Sequence, residues 1–177
     1  DINSSDKAAR FIRFCDAFGI PIVSFVDCPG YLPETQQEYG GIIRHAAKLL
    51  YAYCEATVPR ISVAIRKIYG GAISGMSVSK LVGTDLTAVL PSAEIAIMQP
   101  EGAANIIFKE EIEKADDPEA MRQEKVRQYR EQFANPYVAA EKGWIDVIIK
   151  PREIRPFLIT SLERLRGKQE GRPEKKH

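Results

Sequence analysis

The segment from Arg60 to Leu81 constrains this chain more than any other. An apolar run, Ile61 to Ile65, leads through Tyr69-Gly70-Gly71-Ala72 into a stretch whose apolar residues, Ile73, Met76 and Leu81, suit an amphipathic helix. A strand that turns through paired glycines into a helix leaves several backbone N–H groups without partners, aimed at whatever lies in front of them. Two readings of the turn are open. It is a tight β–α connection in which glycine permits close packing, or it is an oxyanion hole, where a side chain would hold a substrate oxygen away from the backbone donors.

The rest of the chain supplies the frame. A helix over residues 6–18, with Ala9, Ile12, Phe14 and Phe18 as its apolar positions, ends at Gly19 and is followed by a short strand, Ile20 to Val26. A turn-rich segment, Asp27 to Pro33, precedes a second helix, in which Tyr39, Ile42, Ile43, Ala46, Leu49, Leu50 and Tyr53 follow helical spacing. After the Arg60–Arg66 strand and the glycine turn come two strands, Leu86 to Leu90 and Glu94 to Met98, joined through Pro91-Ser92. Pro100-Glu101-Gly102 opens another helix, and Lys109 to Gln132 reads as a charged helical excursion interrupted at Asp117-Pro118. A short helix (136–142), a strand (147–149) and a last helix (151–166) complete the pattern. Strands alternating with helices specify an α/β domain.

Composition excludes several classes. With 177 residues, 45% hydrophobic and 28% charged, the chain is long enough for one compact domain with a sizeable core. A net charge of +1 gives no bulk attraction to nucleic acid or membrane, although Arg164, Arg166, Lys168, Arg172, Lys175 and Lys176 form a basic tail that reads as solvated. Cys15, Cys28 and Cys54 form no CxxC pair, and only His45 and His177 could join them, so no metal site is expected. Free thiols without a signal peptide or a long apolar span point to the cytoplasm. The chain starts at Asp1 rather than Met, as a fragment or processed product would.

The remaining motifs are weaker. Val26-Asp27-Cys28-Pro29-Gly30 imitates the Asp-x-x-Gly element of GTPases, but no GxxxxGK[ST] loop is present, so Asp27 is expected to end a strand and organise a turn. Tyr39-Gly40-Gly41 reads as close helix packing or a substrate wall. His45, with no nucleophile at a recognisable spacing, reads as a structural or surface residue. Gly102-Ala103-Ala104 offers a second set of N–H groups at a helix start.

Taken together, Asp1-Ile2-Asn3-Ser4-Ser5, Phe25-Val26-Asp27-Cys28-Pro29-Gly30-Tyr31-Leu32-Pro33, Gln37-Glu38-Tyr39-Gly40-Gly41-Ile42-Ile43-Arg44-His45, Lys48-Leu49-Leu50-Tyr51-Ala52, Arg66-Lys67-Ile68-Tyr69-Gly70-Gly71-Ala72 and Phe133-Ala134-Asn135-Pro136 resemble the C-terminal half of the carboxyltransferase (β) subunit of biotin-dependent acyl-CoA carboxylases and decarboxylases, propionyl-CoA carboxylase among them. The resemblance extends almost to Arg172-Pro173. It implies a crotonase-like (ClpP/crotonase) fold of stacked ββα units, with residues 1–177 forming a single C-terminal carboxyltransferase domain. It further implies transfer of a carboxyl group between N1′ of carboxybiotin and the α-carbon of an acyl-CoA, with biotin brought by a biotin carboxyl carrier protein. The implied partners are the N-terminal carboxyltransferase half, the carrier, a biotin carboxylase and further copies of the subunit in a dimer-based assembly such as a hexamer.

Carried over by position, Gly71 and Ala72 match the pair whose N–H groups hold the ureido oxygen of biotin. Tyr69, Gly70, Ile73 and Ser74, with Gly102 and Ala103, make the expected substrate- and biotin-binding surface. The resemblance also implies that no side-chain base is needed, because the released biotin anion takes the substrate α-proton. Ser74 stands where propionyl-CoA enzymes usually carry Asp, and Ile73 where they carry Tyr, so the acyl group and the direction of transfer stay open. A crotonase-fold hydratase or hydrolase, using Asp85, Glu94 or Glu101 as base, and a non-catalytic assembly module are the competing readings.

Overall fold

A computed structural model describes residues 1–171. In chain order its elements are α1 (Ile2–Ala17), β1 (Ile22–Cys28), α2 (Thr35–Gly40), α3 (Ile42–Glu55), β2 (Arg60–Tyr69), α4 (Ala72–Gly75), β3 (Leu86–Val89), β4 (Glu94–Ala96), α5 (Pro100–Ile107), α6 (Lys109–Glu113), α7 (Pro118–Phe133), α8 (Pro136–Glu141), β5 (Val147–Ile148) and α9 (Ile154–Arg164). Short 3₁₀ turns lie at Lys80–Val82 and Pro151–Glu153.

All strand pairs are parallel, in the order β1-β2-β3-β5, and β4 also pairs with β2. The first half of β2, Ile61–Ala64, lies opposite β3, and its end, Lys67–Tyr69, lies opposite β4. Ile61 to Ala64 are all buried, as expected of a parallel strand covered on both faces. Leu49, Ala52 and Tyr53 of α3 pack with Ala9, Ile12 and Cys15 of α1 on one side, while Phe157 and Leu158 of α9 pack with Val63 and Ala88 on the other.

Asp27 lies inside β1 rather than at its end. The β1–β2 register shifts between Val26 and Cys28, and the Asp27 carboxylate fills the gap. It accepts the Arg66 Nε–H at 3.0 Å and the Lys67 N–H at 3.1 Å, and these bonds, that from Arg66 foremost, hold its carboxyl below the ordinary carboxylate range. The residue thus organises a bulge where a turn is expected.

Other boundaries move for local reasons. Helix α1 starts four residues early because the Asp1 carboxylate caps it, accepting the Ser4 N–H at 2.7 Å. Its buried stripe is Ser5, Ala9, Ile12 and Cys15, while Phe14 and Phe18 stack on each other outside, with ring centroids 4.7 Å apart. The expected second helix divides into α2 and α3 at Gly41, whose φ of 82° is readily adopted by glycine. That division leaves Tyr39 on the surface. The helix after the glycine turn lasts only for α4, since Ser77 adopts φ 58° and Leu81 belongs to the separate 3₁₀ turn. The break at Asp117-Pro118 is present, with Asp117 capping α7 through the Ala120 N–H at 3.0 Å.

The basic tail is not simply solvated. Lys168 Nζ sits 2.9 Å from Asp85 and 2.8 Å from Glu170, folding this segment over the start of β2. Arg172, Lys175 and Lys176 lie outside the described residues. Among the described residues no helix is long and apolar enough to cross a membrane.

His45 is structural. Its Nδ1 lies 2.8 Å from Asp6 Oδ2, and Lys48 Nζ donates to Asp6 Oδ1 at 2.9 Å, tying α3 to α1. Hydrogen bonds from His45 and then Lys48 lower the Asp6 pKa from its ordinary 3.8. A carboxyl more acidic when folded adds stability above the unfolded value and loses it as pH falls through the folded one. The stability gap between wild type and Asp6→Asn, read from denaturation midpoints, is therefore expected at pH 7 and should shrink below pH 3.8. Equal midpoints at pH 7 would refute the link.

Candidate functional site

The glycine turn sits at the carboxyl end of β2. Gly70 adopts φ 53° and donates its N–H to Ala96 O at 3.0 Å, and a Cβ there would lie 3.2 Å from Ile97 O. Both the backbone sign and the close approach therefore call for glycine. Gly71 is different, because its φ of −60° is open to any residue. What it lacks is room: a Cβ would lie 2.9 Å from two ring carbons of Tyr31. The packing reading of the pair is thus correct as far as Gly71's side-chain direction is concerned.

The donor reading concerns the other side of the same backbone. Ile73 N–H returns to Gly70 O at 3.1 Å and Gly75 N–H to Gly71 O at 2.8 Å, which closes the turn behind them. The Gly71 and Ala72 N–H groups have no acceptor among the described residues. Two adjacent, fixed donors are what a developing oxyanion needs.

Beside the turn lies a mostly apolar groove of about 510 Å³, with Gly70, Ile73, Ser74, Leu81, Ile97 and Trp144 in its wall. Of the expected site residues, the structure brings Gly70, Ile73 and Ser74 together here. Lys80 stands at the same groove, its Nζ 2.6 Å from Asp146. Trp144 arrives from the segment after α8, some way along the chain from the turn, and no local pattern marks it.

Tyr69 is placed otherwise. Its side chain is buried, and its hydroxyl donates to the Glu94 carboxylate, away from the groove. Burial first, and then the Glu94 carboxylate, push its pKa up. It anchors the end of β2 to the β4–α7 side, packing with Ala103 and Tyr129. The second set of donors also narrows. Ala103 N–H is taken by Gln99 O at 2.9 Å, and its side chain is buried. Gly102, with a Cβ position only 3.7 Å from Met98, is in ordinary contact and not sterically required to be glycine.

The three carboxylates weighed as bases are all engaged. Asp85 accepts the Arg60 N–H at 2.8 Å and pairs with Lys168, Glu94 takes Tyr69 and Arg130, and Glu101 pairs with Arg130. Sequence reasoning passed over Tyr31, although one signal was present. Gly71 and Gly75 stand one helical turn apart, and small residues at that spacing leave a face that a ring can approach.

Comparison with known proteins places the chain in a family. The carboxyl transferase domain family matches residues 1–177. The propionyl-CoA carboxylase carboxyltransferase subunit of Haloferax mediterranei is 56% identical over 177 residues, covering 100% of this chain and 34% of its own length. Methylmalonyl-CoA decarboxylase subunit alpha of Veillonella parvula is also 56% identical, with 33% of its length covered. The solved structure of transcarboxylase 12S, a hexamer with methylmalonyl-coenzyme A and methylmalonic acid bound, superposes with a TM-score of 0.92 at 55% identity, over 100% of this chain and 34% of that one. The chain thus spans about a third of the length of these relatives. Its α/β architecture is the crotonase-like fold of carboxyltransferases, and the chain belongs to the carboxyl transferase domain family.

Proposed function

We propose that this chain forms the biotin-facing part of an acyl-CoA carboxyltransferase, moving a carboxyl group between N1′ of carboxybiotin and the α-carbon of a short acyl-CoA. The observation that carries the reading is the pair of unpartnered N–H groups at Gly71 and Ala72, flanked in the chain by Gly70, Ile73 and Ser74 of the groove wall. Carboxybiotin, when bound, would supply the transferable carboxyl and a ureido oxygen able to carry negative charge. Gly71 and Ala72 supply fixed donors for that oxygen, which are already oriented and need no reorganisation as charge develops. The apolar wall around Ile73 and Leu81 is surface that a bound ligand would cover, and the loss of water on covering it would strengthen those hydrogen bonds. Engagement of Asp85, Glu94 and Glu101 elsewhere supports a site that works without a side-chain base.

The partners in this reading are the N-terminal carboxyltransferase half, a biotin carboxyl carrier protein and a biotin carboxylase, in a dimer-based homo-oligomer. The chain's residues 1–177 act as the C-terminal domain of that assembly. Ser74, on the groove wall, gives a direct test. In the full-length subunit, Ser74→Trp is expected to raise KM for acyl-CoA or carboxylated carrier about tenfold, equivalent to ~1.4 kcal/mol, without a change in folding midpoint. Unchanged kinetics would move the substrates elsewhere, and hydration of an enoyl-CoA without biotin would replace this reading with the hydratase one.

A further inference from the structure

The loop that leaves β1 crosses directly over α4, and Tyr31 is its point of contact. One edge of the ring faces Gly71, where a Cβ would stand 2.9 Å from Cδ2 and Cε2. The phenol end faces Gly75, where a Cβ would collide with the hydroxyl and lie 3.1 Å from Cζ. The two glycines thus form a seat for one ring. The hydroxyl is buried and has no hydrogen-bond partner among the described residues. A small space of about 30 Å³, bounded by Cys28, Leu49, Ala72 and Met76, lies around it. A polar group left unpaired in this way does not stabilise the fold, so the shape of the ring is what the position supplies.

We propose that Tyr31 is the positioning residue of the Gly71–Ala72 donor pair: its ring, seated on Gly71 and Gly75, fixes the turn at the height where both N–H groups face the same oxygen. This rests on the reading of Gly71 and Ala72 as donors. Tyr31 touches no reacting atom. It acts by restraining a four-residue helix that is too short to hold its own orientation. Displacement of such a group by about 1 Å is enough to lower turnover roughly a hundredfold.

The test uses the full-length subunit assembled with its biotinylated carrier. Tyr31→Ala is expected to lower kcat roughly ten- to a hundredfold with KM for acyl-CoA unchanged, whereas Tyr31→Phe should keep wild-type kcat and an equal or higher melting temperature. Gly75→Ala leaves the donor pair untouched yet presses on the hydroxyl, so it should lower kcat about tenfold, and the Tyr31→Phe/Gly75→Ala double variant should recover most of that loss. Folded Tyr31→Ala and Gly75→Ala variants with wild-type kcat would overturn the proposal, as would a double variant no better than Gly75→Ala alone. If the donor reading itself fails, Gly71→Val keeps its turnover. If only the positioning role fails, Gly71→Val is inactive while Tyr31→Ala remains active.

Discussion

Replacing Gly71 by valine in the full-length subunit is expected to lower kcat by roughly 10²- to 10³-fold, the range found when one oxyanion donor is lost. The substitution removes no N–H group, so the loss must come from position. A Cβ at residue 71 falls 2.9 Å from two carbons of the Tyr31 ring, well inside van der Waals contact, and valine adds two methyl groups beyond it. Either the ring or the turn must yield, and the turn leads into a single short helix, with the N–H groups of Gly71 and Ala72 unpartnered among the described residues. The backbone at Gly71, with φ −60°, accepts valine without strain, which separates the effect from misfolding. Overpacking of this kind destabilises a domain by about 1 to 3 kcal/mol. Measured at saturating acyl-CoA and carboxylated carrier, a variant that folds and retains more than a tenth of wild-type kcat would contradict the donor assignment.

The second large effect is expected at the other end of β2. Arg60 is only 1% exposed. Its Nη1 donates to the carbonyls of Tyr53 and, at 3.0 Å, Val82, while its Nη2 reaches Glu170 at 3.2 Å. The one gap in this arrangement is Nε, which lacks a partner among the described residues. Gly83, at φ 80°, makes space for the guanidinium, since a Cβ there would sit 2.7 Å from Nη2. Arg60→Ala strips two buried carbonyls of their donor and opens a cavity, at a combined cost of about 3 to 5 kcal/mol. A guanidinium chloride titration should show this as a lowered midpoint with an unchanged slope. Arg60→Met fills most of the volume but leaves the carbonyls unpaired, so it should recover only part of the loss. A midpoint shift below about 1 kcal/mol would show that water replaces the guanidinium freely.

Much of the fold was legible because its strands are short apolar runs punctuated by Gly and Pro, and parallel strands buried on both faces read that way. The order of elements, the Pro91-Ser92 connection and the break before Pro118 all appear where local chemistry places them. The length of α4 was not legible. Ile73, Met76 and Leu81 imitate a helical stripe, but Ser77 takes a positive φ held by contacts of its carbonyl with Ser62 and Thr84, which no local pattern encodes. Phe14 and Phe18 misled for a related reason, since hydrophobicity does not reveal which face of α1 meets α3.

The site divided along the same line. Gly70 to Ala72 stand out in the sequence because a glycine pair between strand and helix has few uses, and the structure shows the tight turn there. Trp144 does not, because a distant segment of the chain brings it to the groove, and Tyr31 is marked only indirectly, by the spacing of Gly71 and Gly75. Tyr69 and Ala103 were drawn into the site by their neighbours, yet burial directs one side chain to Glu94 and the Gln99 carbonyl takes the other's N–H.

Strand β2 joins these two ends. It begins at Arg60, clamped under the segment of Lys168 and Glu170, and ends at Tyr69, one residue before the turn. At about 3.3 Å per residue the anchor and the donors stand on the order of 30 Å apart, far beyond the range over which substitutions usually interact. Substitutions around Arg60 are therefore expected to act on folding alone, which leaves Gly71 and Ser74, beyond the far end of β2, open to independent tests of turnover.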